Sequence, residues 1–326
     1  MVFDTVSEFF GWHHGGTTDT MSEQPMRAHH DACFGCGPGQ PDGVHLQLAS
    51  RGDHALARVV LDEHLSGPPR AAHGGIPALI LDEVLGTTVN VLHQRPSVTG
   101  TLTVEYLAPT PIGTPIDAEA WLRETDSRKA FVEGVVRHEG EVTARGEAVF
   151  IQVPIEHFRG NRDAARAAVI PDEQPVPAGA PIVDPHRSAC FGCGSANPRG
   201  LQMRHARDGD EIVSAFLATP AFTGAPGTLH GGALAAALDD SMGTAPLVLA
   251  EELALTRALT IRFERPVLLG QALEIRSRIA SREGRRITVT AETFAGGHRL
   301  ASATGTFVVV ELSDEHKAKL FAGHPA

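Results

Sequence analysis

The chain has 326 residues, a formal net charge of −11, and 42% hydrophobic against 21% charged residues. That balance suits a folded globular chain long enough for two ordinary domains. With a net negative charge, one tyrosine and two tryptophans, it argues against a nucleic-acid binder, and no apolar run reaches the roughly 18 residues of a membrane span.

Residues 1–31 lack a basic start followed by an apolar core, so they read as a mobile leader rather than a secretory signal, with Met21 as a candidate start. Four cysteines in two close pairs, without a wider framework, fit a reduced cytoplasmic setting. Strand-like alternation then runs over 44–49 and 54–61. Gly67, Pro68 and Pro69 mark a turn. From His73 to Leu92 the chain is one apolar stretch, long enough for a buried helix, and Pro77 is tolerated because it lies in the first turn. Four strand-like runs follow over 99–107, 115–123, 129–137 and 142–153.

A shift of 157 residues superimposes the sequence on itself without a gap. Cys33-Phe34-Gly35-Cys36-Gly37 falls on Cys190-Phe191-Gly192-Cys193-Gly194, and His73-Gly74-Gly75 falls on His230-Gly231-Gly232. Of the 119 pairs from Cys33 to Ile151, 32 are identical, so the period is a duplicated domain rather than a solenoid unit. The chain divides into a leader (1–31), a first domain (32–153), a proline-rich linker (154–187) with one short helix in its first half, a second domain (188–312) and a tail (313–326). In each domain one long helix precedes consecutive antiparallel strands, which predicts an α+β layer with a sheet wrapped around a central helix.

Two features of that helix carry chemistry. Its first turn holds His-Gly-Gly, where free N–H groups attract anions and polarise carbonyl oxygens. Asp82 and Asp239 sit mid-helix, where an acidic side chain needs a partner or a task. Asp82 lies seven residues past Gly75, roughly 10 Å along the axis. It therefore cannot serve its own helix start. Two antiparallel helices would instead set Gly74 and Gly75 against Asp239, and Gly231 and Gly232 against Asp82. Glu83 and Asp240 read as supporting or solvated. Thr99 and Thr256, each seventeen residues past its Asp, offer a hydroxyl at a strand start. The two cysteine pairs would complete a four-thiolate zinc site only if the repeats brought them together. We read them as structural turns and expect no metal and no cofactor.

These residues, with Pro109 and Pro266, resemble the hotdog thioesterases of the phenylacetate-pathway (PaaI-like) type, and the leading Cys-Phe-Gly-Cys-Gly element resembles a subgroup of them. The resemblance covers nearly all of 33–153 and 190–311. It implies two tandem hotdog domains forming a pseudo-dimer within one chain, with room for further pairing of whole chains, and an acyl-CoA thioester as substrate. It also implies roles: Gly74 and Gly231 N–H bind the thioester oxygen, Asp82 and Asp239 act as nucleophile or general base, and Thr99 and Thr256 assist. His73, Gly75, His230 and Gly232 bind substrate. One departure is Gly67 and Gly224, where some members carry Asn six residues before the histidine. The acyl chain is expected between the central helices, against Leu79, Leu85, Leu234 and Met242. Two other readings are a CoA-linked hydratase or dehydratase, for which no Asp/His pair acting together is legible, and a non-catalytic acyl-CoA-binding protein.

Overall fold

Period-two alternation folds the first repeat into β1 (Gln24–Pro25), β2 (Gln47–Arg51), β3 (His54–Val60), β4 (Ser97–Tyr106), β5 (Pro115–Asp126), β6 (Lys129–His138) and β7 (Glu141–Gln152). The computed structural model describes residues 22–311; the leader through Met21 and the tail at 313–326 lie outside them. Neighbouring strands run antiparallel in the order β1-β2-β3-β5-β6-β7-β4. The β6–β7 hairpin turns on Glu139 and Gly140, both at positive φ (50° and 84°), the primed geometry that matches strand twist.

Helix α1 (Gly75–Thr87) packs inside this sheet with every residue buried. Its apolar run closes in a wider turn over Thr88–Leu92. Contrary to the expectation that no apolar run reaches the length of a membrane span, the 18 residues Gly75–Leu92 could cross one by length and composition, yet 83% of that stretch is buried inside the protein. It is a core helix, apolar all round because it is enclosed all round.

The proline-rich connector begins with α2 (Ile155–Ala167). The second repeat follows as β8 (Ala180–Ile182), β9 (Arg204–Asp208), β10 (Glu211–Leu217), α3 (Gly231–Leu249), β11 (Ala254–Phe263), β12 (Ala272–Glu283), β13 (Arg286–Ala295) and β14 (His298–Val309). The 157-residue shift reaches further upstream than the cysteines. Gln24 and Pro25 correspond to Pro181 and Ile182, and each pair adds an outermost strand to its own sheet. The last ten residues of the expected leader are thus built into the fold, as are residues 180–187 of the expected linker.

The two repeats join twice. Strands β4 and β11 pair antiparallel, fusing both sheets into one of fourteen strands among the described residues. Thr103 lies opposite Thr260, its own repeat equivalent, with the hydroxyls 3.2 Å apart, so the pseudo-twofold axis passes between them. The helices α1 and α3 also meet. A Cβ on Gly75 would stand 2.2 Å from Ala236 Cα, and one on Gly232 would stand 2.3 Å from Leu79 Cα. Each helix start lies beside the other's second turn, so the pair is antiparallel. Glycine is required here because only a missing side chain allows backbones this close.

Candidate active sites at the two helix starts

The antiparallel helix pair sets each mid-helix aspartate against the other helix's start. Asp82 Oδ2 accepts from Gly232 N–H at 3.0 Å, and its Oδ1 accepts from Thr99 Oγ1 at 3.0 Å. In the second site Asp239 Oδ1 accepts from Thr256 Oγ1 at 2.7 Å, and a Cβ on Gly74 would stand 2.5 Å from Asp239 Oδ2. Gly74 and Gly231 lie against these carboxylates, and the first N–H groups of a helix have no acceptor within it, so their amides are free of intrahelical bonds. A β-bulge follows Thr99 in β4 and Thr256 in β11. Bulges re-aim side chains beside functional sites, and these two turn the hydroxyls onto the aspartates.

Each histidine of the His-Gly-Gly turn is fixed from both ring nitrogens. His230 Nδ1 accepts from Gly232 N–H at 3.0 Å, while Nε2 donates to Glu83 Oε2 at 2.8 Å. His73 Nδ1 accepts from Gly75 N–H at 3.0 Å, and Nε2 donates to Asp240 Oδ1 at 3.1 Å. Glu83 and Asp240 are therefore neither solvated nor idle. Both are buried, at 4% and 1% exposure, and each reaches across to the other repeat's turn. A histidine does stand beside each aspartate, with His230 Nδ1 3.3 Å from Asp82 and His73 Nδ1 3.6 Å from Asp239. The sequence hid this pair because its members come from different repeats. Neither ring nitrogen remains for a substrate, since one accepts from the backbone and the other donates to a carboxylate.

The Cys-Phe-Gly-Cys loops also cross between repeats. Phe34 N–H donates to Thr223 O, Phe191 N–H donates to Ser66 O, and the two rings stack with centroids 6.1 Å apart. Glycine follows each Phe because the carboxylate–histidine bridge lies against it. A Cβ on Gly35 would meet Glu83 Oε2 at 2.8 Å, and one on Gly192 would meet Asp240 Cγ at 2.3 Å. Gly192→Ala should therefore lower the urea midpoint more than Gly35→Ala does, since the branch carbon cannot swing aside as an outer oxygen can. Equal midpoints would show that the loops give way freely. The departure at Gly67 and Gly224 has a similar cause: a Cβ there would stand 2.8 Å from His73 Cα and 2.6 Å from His230 Cα.

A cavity of about 290 Å3 opens at the Asp82 site, walled by Thr99, Gly231, Leu234, Phe150, Phe158 and Phe263. It differs from the groove expected between the central helices. Those helices touch, and Leu79, Leu85 and Met242 are fully enclosed core residues. Leu234 alone of the four expected lining residues faces the cavity. Helix α2, the short helix expected in the first half of the linker, supplies part of the wall through His157, Phe158 and Asn161, a packing that the linker's composition does not disclose. Arg265 lines the same cavity and places a cation there despite the acidic chain.

The two sites are not identical. Tyr106 stands in the first repeat where Phe263 stands in the second. Burial, then the charge of Asp239, pushes the Tyr106 phenol well above its usual range. Burial raises the Asp239 carboxyl as well, partly offset by His73 and Thr256. The sole tyrosine went unmarked in the sequence because nothing before folding ties it to Asp239.

Two antiparallel sheets wrapped around two central helices, with composite sites at their crossing, define a tandem hotdog protein. The thioesterase superfamily model matches a segment of each repeat, over residues 71–144 and 226–302. The acyl-coenzyme A thioesterase THEM4 of Bos taurus is 30% identical over 106 residues, which is 32% of this chain and 43% of that protein. The chain thus spans less than half the length of that relative. Among solved structures, the tesB protein of Mycobacterium avium subs paratuberculosis superposes with a TM-score of 0.57 at 14% identity, covering 81% of this chain and 96% of its own. A hot dog fold protein from Alicyclobacillus acidocaldarius gives 0.56 at 18%, covering 82% and 96%. At those identities the likeness is one of fold.

Proposed function

We propose that the chain hydrolyses acyl-CoA thioesters at two composite sites, Asp82/Thr99 with Gly231 and Asp239/Thr256 with Gly74. The observation that carries this reading is the carboxylate held by a threonine hydroxyl on one oxygen and turned toward a helix start on the other. The relatives named acyl-CoA thioesterases support the substrate class. The thioester carbonyl oxygen lies at the Gly231 or Gly74 N–H, where the helix dipole and an aimed donor stabilise the charge that develops on it. His73, Gly75, His230 and Gly232 shape that turn. Asp82 or Asp239 either takes a proton from the water that attacks the carbonyl carbon, or attacks that carbon itself to form a mixed anhydride that water then hydrolyses; in both routes the carbon–sulfur bond breaks to release CoA thiolate, water's oxygen ends in the free acid and the aspartate is regenerated. The proton ends on the CoA thiol. No step in this scheme requires a metal or a cofactor. Arg265 is placed to meet a CoA phosphate at the mouth of the Asp82 cavity. A reduced cytoplasmic setting belongs to this reading, with four free buried cysteines in its support.

A panel of acyl-CoAs monitored for free thiol tests it. Release of CoA with formation of free acid is the expected result. Hydration of an enoyl-CoA without thiol release, or tight binding without turnover, would overturn it. The hydroxyls supply a graded check. Thr99→Val with Thr256→Val should lower kcat roughly ten- to a hundredfold, because a hydrogen bond to a charged group contributes about 1.5–3 kcal/mol. An unchanged kcat would remove the threonines from the machinery.

A further inference from the structure

The cysteine pairs are not left for a turn to explain. In the first repeat Cys33 and Cys36 converge with His29 and Glu83, and in the second Cys190 and Cys193 converge with His186 and Asp240. Each set offers one imidazole nitrogen, two sulfurs and one carboxylate oxygen, all within 4.8 Å of one another. His29 Nδ1 lies 3.0 Å from Glu83 Oε1, and Cys33 Sγ lies 3.8 Å from the same oxygen. In the second set His186 Nδ1 lies 3.1 Å from Asp240 Oδ1 and 3.4 Å from Cys193 Sγ, while Cys190 Sγ lies 3.6 Å from Asp240 Oδ1. Zinc bonds of about 2.0–2.3 Å at tetrahedral angles place ligand atoms roughly 3.3–3.8 Å apart; the three sulfur distances fall in that range, and the two imidazole–carboxylate distances, 3.0 and 3.1 Å, lie just below it.

We propose that each repeat binds one zinc ion, through His29, Cys33, Cys36 and Glu83 in the first and His186, Cys190, Cys193 and Asp240 in the second. Two thiolates and an imidazole select a borderline-soft cation over magnesium or calcium, and four protein donors close the shell as in a structural site. On binding, each thiol gives up its proton to solvent, and two thiolates and one carboxylate face the dication. The remaining negative charge meets an N–H donor, since His230 Nε2 donates to the outer oxygen of Glu83. His29 is oriented likewise, its Nε2 bonded to Thr87 Oγ1 at 3.1 Å. Ligands are commonly held by such outer hydrogen bonds. All four ligand positions of one set map onto the other under the 157-residue shift. Two copies of the same buried donor set, in repeats that are otherwise mostly different, argue for a shared ion.

The expectation of no metal assumed that only four cysteines could build a site, which would have forced the two pairs together in space. The structure instead completes each pair inside its own repeat. His29 and His186 went unmarked, although the repeat offset aligns them four residues ahead of each first cysteine.

Elemental analysis of the full chain, purified with its thiols reduced, tests the proposal and is independent of any hydrolysis assay. Two zinc per chain are expected, falling to one in Cys33→Ser with Cys36→Ser. Because that variant could misfold, the wild-type chain provides a second measurement. After chelation and titration with cobalt(II) alone, it should show the intense thiolate-to-cobalt charge-transfer band and the visible bands of a tetrahedral site, saturating at two ions per chain. A chain purified without stoichiometric zinc that also gives no cobalt–thiolate band would overturn the proposal. A Cys33–Cys36 disulfide in the freshly purified protein would overturn it equally.

Discussion

Asp82→Asn combined with Asp239→Asn is expected to abolish nearly all acyl-CoA hydrolysis, by roughly a thousandfold in kcat. Each single variant should keep the other site's share. Asn preserves the size of the side chain, and its carbonyl oxygen can still accept from Thr99 or Gly232, whose bonds to Asp82 are 3.0 Å each. Folding should therefore survive, which circular dichroism and a urea midpoint would check. What Asn lacks is the charge needed to take a proton or attack a carbonyl carbon. The crossing of the helices makes the single variants informative. Asp82 serves the Gly231 start, so Asp82→Asn silences the site lined by Phe263 and Arg265 and leaves the one beside Tyr106. The residual activities of the two singles should sum to that of the unaltered chain, even if the sites differ in rate. Full activity in the double variant would refute the aspartates as the reacting groups.

Much of this was legible before the structure because it depended on period and spacing. The gapless offset fixes duplication, and the helix rise shows that Asp82 cannot reach its own Gly75, so a composite site follows from arithmetic. Helix α3 begins and ends where its apolar run does. What stayed hidden depends on contacts between distant segments. Glu83 reads as supporting or solvated, and only the arrival of His230 from the other repeat decides between the two. The cavity wall from α2 depends on where a connector packs, which composition does not specify. The groove between the helices was misjudged for the opposite reason. At Gly75 and Gly232 the close approach that glycine permits is made by the facing helix, so the helices close on each other and squeeze out that groove.

That closure can be tested by adding one carbon. Gly75→Ala is expected to destabilise the chain by about 2 kcal/mol, and Gly232→Ala similarly, within the usual cost of overpacking a core. The new methyl would stand 2.2 Å from Ala236 Cα in one case and 2.3 Å from Leu79 Cα in the other. Both obstacles are backbone atoms, which no rotamer change can move. Relief requires the helices to part. Once parted by the first methyl they accommodate the second more easily, so the double variant should cost less than the two singles combined. Helix propensity works the other way, since Ala is favoured over Gly by about 1 kcal/mol in a helix interior. Gly160→Ala supplies the matching control. Gly160 lies in α2, exposed, with no neighbouring atom within 4 Å of a Cβ, so the same substitution there should stabilise. Opposite signs at Gly75 and Gly160 would isolate the helix contact as the cause. Activity should fall with stability at Gly75 and not at Gly160. Parting the helices draws Asp239 away from the Gly74 amide, and a displacement of about 1 Å between reacting groups can cost a hundredfold in rate. A Gly75→Ala variant that is more stable than the unaltered chain and equally active would show that the helix spacing sets neither the fold nor the site.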